Sequence, residues 1–136
     1  VDYVGLSDEM YALAAEADVV YAAVPNTPDT QEMFDARFFD AMKPSAYFVS
    51  IVRLPVVNWD DLKAALRSGS IAGFGTDDLP QDDFELWDMP RVVMTPHVSD
   101  YSNRYRDNQF LLDRENLRRY VEGEPMLNVV DLQRGY

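Results

Sequence analysis

Four short apolar runs, each of strand length and each stopped by turn-forming residues, alternate along this chain with segments of helical periodicity. The run Asp18–Val24 ends at Pro25 and the turn-rich Asn26-Thr27-Pro28-Asp29-Thr30, and Ala46–Val52 ends at Arg53. Ile71–Gly75 leads into an acidic loop over Thr76–Met89, and Arg91–Thr95 delivers Pro96 and His97. Continuous apolar runs bounded in this way fit strands buried within a parallel sheet. The patterns between them supply the crossovers. Ser7-Asp8-Glu9 reads as the cap of a helix to about Ala17, and Asp35–Met42 as a short helix with Phe38 and Phe39 turned inward. Asn58-Trp59-Asp60-Asp61 caps a helix whose face is Leu62, Ala65 and Leu66, with Gly69 as its left-handed terminator. Ser102 caps a long helix through about Glu122, with Tyr105, Leu112 and Leu117 among its apolar positions, and Gly123-Glu124-Pro125 breaks it. This order predicts an α/β fold with right-handed crossovers.

At 136 residues with 47% hydrophobic content, the chain suits one domain with a real core. No apolar run approaches the roughly 20 residues of a membrane span, and the first residues lack a secretory signal plan, which places the chain in the cytoplasm. Cysteine is absent and His97 is the single histidine, so thiol catalysis is excluded and no metal site is expected. The formal charge of −12 argues against nucleic acid as a partner, because phosphates repel such a surface. Acidity of this kind serves solubility, and it also fits a high-salt habitat in which self-repulsion is screened.

In open parallel sheets, ligands bind outside the carboxyl ends of the strands. Pro25–Thr30, Arg53, Asp77 with the acidic loop, and His97 all fall on that one rim. Taken singly, each has a plain structural reading: a lone histidine at a strand end is often a satisfied structural group, and an arginine before a helix is often a surface ion pair. Asp77-Asp78 and Asp82-Asp83 would then be a solvated acidic loop, and Pro25–Thr30 simply a turn. Their convergence on one rim is what makes an active site.

Several segments, taken in order, resemble the C-terminal, NAD-binding part of the D-isomer-specific 2-hydroxyacid dehydrogenases, the family of phosphoglycerate and glyoxylate/hydroxypyruvate reductases. They are Ala17-Asp18-Val19-Val20 through Val24-Pro25-Asn26-Thr27-Pro28-Asp29-Thr30, Met42-Lys43-Pro44 with Ala46-Tyr47-Phe48-Val49, and Leu66-Arg67-Ser68-Gly69-Ser70-Ile71-Ala72-Gly73. Leu86-Trp87-Asp88-Met89-Pro90 with Thr95-Pro96-His97 follows, and Asn116-Leu117 through Gly123-Glu124-Pro125-Met126-Leu127-Asn128-Val129-Val130 closes the series. The resemblance implies hydride transfer between NAD or NADP and a small 2-hydroxy or 2-keto acid. Arg53 matches the arginine that holds the substrate carboxylate and keto oxygen, and His97 matches the general acid. The glutamate that partners this histidine in the family falls at Asp82, with Asp83 or Glu85 as alternatives because the loop is shortened. Pro25, Thr30, Ile51, Val52, Asp77 and Ser99 match positions that line the cofactor, Asp77 at the nicotinamide amide.

The chain also departs from the family pattern. Leu54-Pro55 follow Arg53 where the family usually has two glycines, adding bulk and fixing a backbone angle. No Gly-x-Gly-x-x-Gly loop occurs. The expected fold is therefore a Rossmann-like parallel sheet incomplete at its N-terminal side, with Val1–Gly5 as the remnant of a preceding strand and Val19–Val24 as a bare edge. A homodimer partner or a missing chain segment would cover that edge. Residues 1–127 read as a partial dinucleotide-binding domain and 128–136 as a tail returning to the substrate domain. Two functions stand: the catalytic portion of an oxidoreductase, or a non-catalytic truncated relative serving as a dimerisation or regulatory module.

Overall fold

A computed structural model describes residues 2–78, 84–99 and 101–134. The chain divides into two compact units, Val1–His97 and Val98–Tyr136. Among the described residues, no helix is long and apolar enough to cross a membrane.

The first unit follows the alternation written in the sequence: α1 (Met10–Glu16), β1 (Val19–Ala22), α2 (Ala36–Ala41), β2 (Tyr47–Ser50), α3 (Trp59–Ser68), β3 (Gly73–Thr76), α4 (Phe84–Asp88) and β4 (Val92–Met94). The strands form one sheet in the order β1-β2-β3-β4, every neighbouring pair parallel. Parallel neighbours require a crossover between them, and α2, α3 and α4 supply these. Local chemistry sets the helix ends. The Asp35 carboxylate accepts the Phe38 N–H at 3.0 Å to start α2, and the Asn58 side chain accepts the Asp61 N–H at 3.1 Å to start α3. Gly69, with φ +78°, terminates α3 in the left-handed conformation.

Several details differ from the sequence reading. The Ser7 hydroxyl does not cap α1; Ser7–Glu9 form a 3₁₀ turn in which the Glu9 carboxylate accepts the Leu6 N–H at 2.9 Å. Asp2–Gly5 contain no strand, and the Tyr3 hydroxyl donates to Glu9. The loop after β3 contains a helix, α4, which places Leu86 in the core. The strands alternate rather than burying both faces. Val20, Ala22, Phe48, Ser50, Phe74 and Thr76 are buried, whereas Val19, Tyr21 and Tyr47 stay 58%, 59% and 51% exposed. The reason is that the buried strand side chains share one core with Phe38, Phe39, Leu62 and Leu66 of α2 and α3, and successive strand side chains point to opposite faces. Among the described residues β1 pairs only with β2 and so forms an edge, as the sequence reading expects.

Phe48 is the centre of that core. Its ring packs at 5.1 to 5.8 Å from those of Phe34, Phe38, Phe39 and Phe74, stacking on Phe74 and meeting the other three tilted or edge-on. Each such aromatic pair adds about 0.5–1.5 kcal/mol beyond burial.

In the second unit α5 spans Tyr105–Glu122. It begins three residues after Ser102, whose carbonyl, not its hydroxyl, receives the Tyr105 N–H at 3.1 Å. Leu117 on this helix is exposed. Glu115 accepts hydrogen bonds from Arg118 and Arg119, and these guanidinium groups hold its carboxyl down at about 2. The segment beyond Gly123 returns to α5 through Asn116, which donates to the Leu127 carbonyl at 3.1 Å and accepts the Leu127 N–H at 2.7 Å.

Gly73 opens β3 beneath the chain reversal before β4. A Cβ there would stand 2.7 Å from the Arg91 carbonyl oxygen and 3.0 Å from the Tyr47 ring, and that same carbonyl accepts the Phe74 N–H at 3.0 Å. Gly73→Ala is therefore expected to destabilise the first unit by about 1–3 kcal/mol in denaturant titration, because backbone has to shift. An unchanged midpoint would contradict the close approach.

Candidate active site

Because all four strands run the same way, their carboxyl ends share one rim. At the end of β1, Pro25 opens a loop closed by the 3₁₀ turn Pro28–Thr30. The Thr30 hydroxyl accepts the Thr27 N–H at 2.8 Å and donates to the Pro25 carbonyl at 2.7 Å, so it ties the loop to itself. At the end of β2, the Ile51 N–H donates to the Ala22 carbonyl at 3.0 Å, and Val52 is buried in the core.

Arg53 follows, exposed and without an ion pair to any described residue. Its backbone enters the 3₁₀ turn Leu54–Val56, in which Pro55 fits the preset proline φ. This turn is pinned from outside. The Leu54 carbonyl accepts the Trp59 indole N–H at 2.9 Å, the Pro55 carbonyl accepts the Glu32 N–H at 2.8 Å, and the Leu54 N–H donates to Asp78 Oδ2 at 2.9 Å. Leu54-Pro55, which looks disruptive in sequence, thus builds a braced turn that presents Arg53.

β3 ends in two buried or largely buried acids. Asp77 accepts a hydrogen bond from the Thr95 hydroxyl at the end of β4, and its N–H donates to the Ser50 carbonyl at 3.2 Å. Asp78 is locked by Thr76, whose hydroxyl oxygen accepts the Asp78 N–H and donates to the Asp78 carbonyl, both at 3.1 Å.

β4 delivers His97 through Pro96. The His97 N–H donates to the Thr95 carbonyl at 3.0 Å and its backbone is left-handed, with φ +57°. Histidine is one of the few non-glycine residues that visits this region, and it does so at a cost. The ring is 57% exposed, and its Nδ1 lies 3.4 Å from Oδ1 of Asp78, a side chain only 17% exposed.

The structure thus links the ends of β2, β3 and β4 through one carboxylate, with Leu54, the neighbour of Arg53, on one oxygen and His97 on the other. Asp82 and Asp83 lie outside the described residues. Glu85 sits on α4 and forms an ion pair with Arg67 of α3, so it is engaged away from His97. Ser99 lies in a turn of the second unit. Sequence reasoning passed over Asp78 as part of a solvated acidic pair. The available signal was its position: of two consecutive acids leaving a strand, successive side chains diverge to opposite sides.

A cavity of about 500 Å³ lies instead along α1, lined by Tyr3, Glu9, Ala12, Leu13, Glu16 and Ala17. It contains none of the rim residues and no cation. Its polar side chains are a tyrosine that donates to Glu9 and two glutamates, so an acidic ligand has no reason to enter.

Residues 2–99 match the family model described as D-isomer specific 2-hydroxyacid dehydrogenase, NAD binding domain. The chain belongs to this family. It is 39% identical over 119 residues to the glyoxylate reductase/hydroxypyruvate reductase of Homo sapiens, an overlap of 84% of this chain and 36% of that protein. Among solved structures it is similar to the D-isomer specific 2-hydroxyacid dehydrogenase of Xanthobacter autotrophicus Py2 in complex with NADPH and MES. The TM-score there is 0.84 at 33% identity, covering 95% of this chain and 54% of that one. It is also similar to the NAD-complexed D-isomer specific 2-hydroxyacid dehydrogenase of Lactobacillus delbrueckii ssp. bulgaricus. In that case the TM-score is 0.79 at 28% identity, covering 88% and 42%. The chain thus spans between about a third and about half of these dehydrogenases.

The left-handed backbone at His97 gives a direct test of the geometry. A side chain bearing Cβ is penalised there by roughly 1–2 kcal/mol relative to glycine, so His97→Gly is expected to be more stable than His97→Ala by about 1 kcal/mol. Thermal melts of the two variants that coincide, or that favour alanine, would show that the backbone does not hold this conformation.

Proposed function

We propose that this chain forms the catalytic side of an NAD(P)-dependent oxidoreductase acting on a small 2-hydroxy or 2-keto acid. The observation that carries the reading is the single carboxylate, Asp78, that ties the Arg53 turn to His97 on the rim. An exposed guanidinium braced by its own turn suits a planar carboxylate, which it can grip through two N–H donors. A half-exposed imidazole beside it suits proton transfer to the oxygen on the neighbouring carbon.

The rim fits the nicotinamide end of the dinucleotide. Asp77 offers a carboxylate acceptor to the carboxamide, and the Pro25–Thr30 loop with the Ile51-Val52 backbone offers a wall for the rest. The nicotinamide, when bound, supplies hydride to the keto carbon or takes it from the hydroxy carbon. Arg53 holds the substrate carboxylate and orients the keto oxygen toward His97. His97 gives its ring proton to that oxygen in the reductive direction and takes it back in the oxidative one. For the acid that supports His97, the family resemblance points to Asp82, with Asp83 or Glu85 as alternatives. Residues 1–127 serve as the dinucleotide-binding part and 128–136 as the tail.

NADH and NADPH oxidation with glyoxylate, hydroxypyruvate and pyruvate tests this reading. His97→Ala is expected to lower turnover about 10²–10⁴-fold, the usual worth of a general acid. Arg53→Ala is expected to raise KM and lower kcat/KM for the keto acid. Turnover that survives both substitutions overturns the assignment. Absence of turnover in the full-length parent favours the second reading, a dimerisation or regulatory module, for which the bulk of Leu54-Pro55 beside Arg53 is the supporting observation.

We also infer a covering strand at the β1 edge, supplied by a second copy or by chain outside these residues. Its support is the strand order: among the described residues β1 pairs with β2 alone, which leaves a row of backbone groups on its other side, and an edge left open invites pairing. Light scattering on the eluted chain is expected to give a dimer or larger species. A stable, well-folded monomer would count against the covering strand.

A further inference from the structure

We propose that Asp78 is the positioning residue that aims His97, a role for which the family resemblance points to Asp82. The inference rests on the reading of His97 as the proton donor.

Three features distinguish Asp78 from an ordinary surface acid. Its backbone is fixed by two contacts to one hydroxyl, Thr76 Oγ1. Its Oδ2 is fixed by a backbone donor, the Leu54 N–H at 2.9 Å. That leaves Oδ1 as the free oxygen of an anchored carboxylate, and His97 Nδ1 stands 3.4 Å from it. The carboxylate is largely buried and the imidazole largely exposed, so the rigid partner is the acid and the adjustable one is the ring.

A carboxylate facing Nδ1 has two chemical effects. It favours the proton on Nδ1 in the neutral ring, and it directs Nε2 outward to the rim, so that in reduction the imidazolium gives its Nε2 proton to the substrate oxygen and is left as the Nδ1–H tautomer. Contacts of this kind are often long without ligand and shorten in the complex. Because Oδ2 is anchored one residue from Arg53, the same carboxylate also fixes the spacing between the carboxylate-binding turn and the acid. Glu85 is engaged with Arg67, so among the acids of the described acidic loop Asp78 is the one in contact with His97.

The single histidine makes the test direct, because every imidazole signal in the untagged chain belongs to His97. Nitrogen-15 shifts at alkaline pH, where the ring is neutral, are expected to show the proton mainly on Nδ1. An unconstrained imidazole holds it on Nε2, and finding that pattern in the unsubstituted chain would overturn the proposal without any variant. Asp78→Asn keeps an acceptor for the Leu54 N–H and turns an amide donor toward Nδ1, so its signals should move to the Nε2–H pattern. Unchanged signals in Asp78→Asn would also overturn it. In the reductase assay the same variant is expected to lower kcat about 10- to 100-fold with little change in KM for the keto acid. A loss in KM instead would point to a substrate-binding role and against positioning. Failure of the unsubstituted full-length protein to turn over any keto acid would strike the dehydrogenase reading alone, since the tautomer reports the orientation independently.

Discussion

Everything on the rim depends on the parallel register of β1 to β4. Parallel pairing forces a return crossover between successive strands, so the chain leaves every strand at the same edge of the sheet. Residues as far apart as Pro25, Arg53, Asp77 and His97 become neighbours without any of them attracting another. The register is held from beneath by Phe48, which joins β2 to α2, to β3 through Phe74, and to the loop through Phe34. Phe48 and Phe74 lie on the strands that lead to Arg53 and Asp77, so the packing beneath the rim sets its coordinates.

Much of this was legible in the residues. The four strands, the helices between them, the Asn58 cap and the Gly69 terminator follow from periodicity and capping chemistry, which are local. The rim followed too, because topology needs only the order of elements. What escaped was set by contacts across the fold. One-sided burial of the sheet depends on where helices lie, and no strand reveals it alone. Helix α4 was hidden in an acidic stretch in which, among the described helix residues, Leu86 is the buried one. Ser7 and Ser102 look like caps, but carbonyl oxygens take N–H groups that their hydroxyls would cap: Leu6 receives the Glu9 N–H, and the Ser102 carbonyl receives that of Tyr105.

The site was legible in its parts and not in its connections. Arg53 and His97 could be named from sequence, whereas their link could not, since Asp78 reads as one more carboxylate in a chain rich in them. Its distinction lies in what surrounds it. Thr76 fixes its backbone, Leu54 fixes one oxygen, and the remaining oxygen therefore has a direction that a solvated acid lacks. Pre-organisation of this kind reduces the ordering that a ligand would otherwise impose.

The anchor at Leu54 is made by a peptide N–H, and peptide groups are common to every residue except proline. The hydrogen bond to Asp78 is therefore blind to the side chain at position 54. Sequence can drift there, through leucine or any other non-proline residue the turn can house, while the geometry between guanidinium and imidazole is inherited intact. Only the acid at 78, whose side chain does the holding, lacks that freedom.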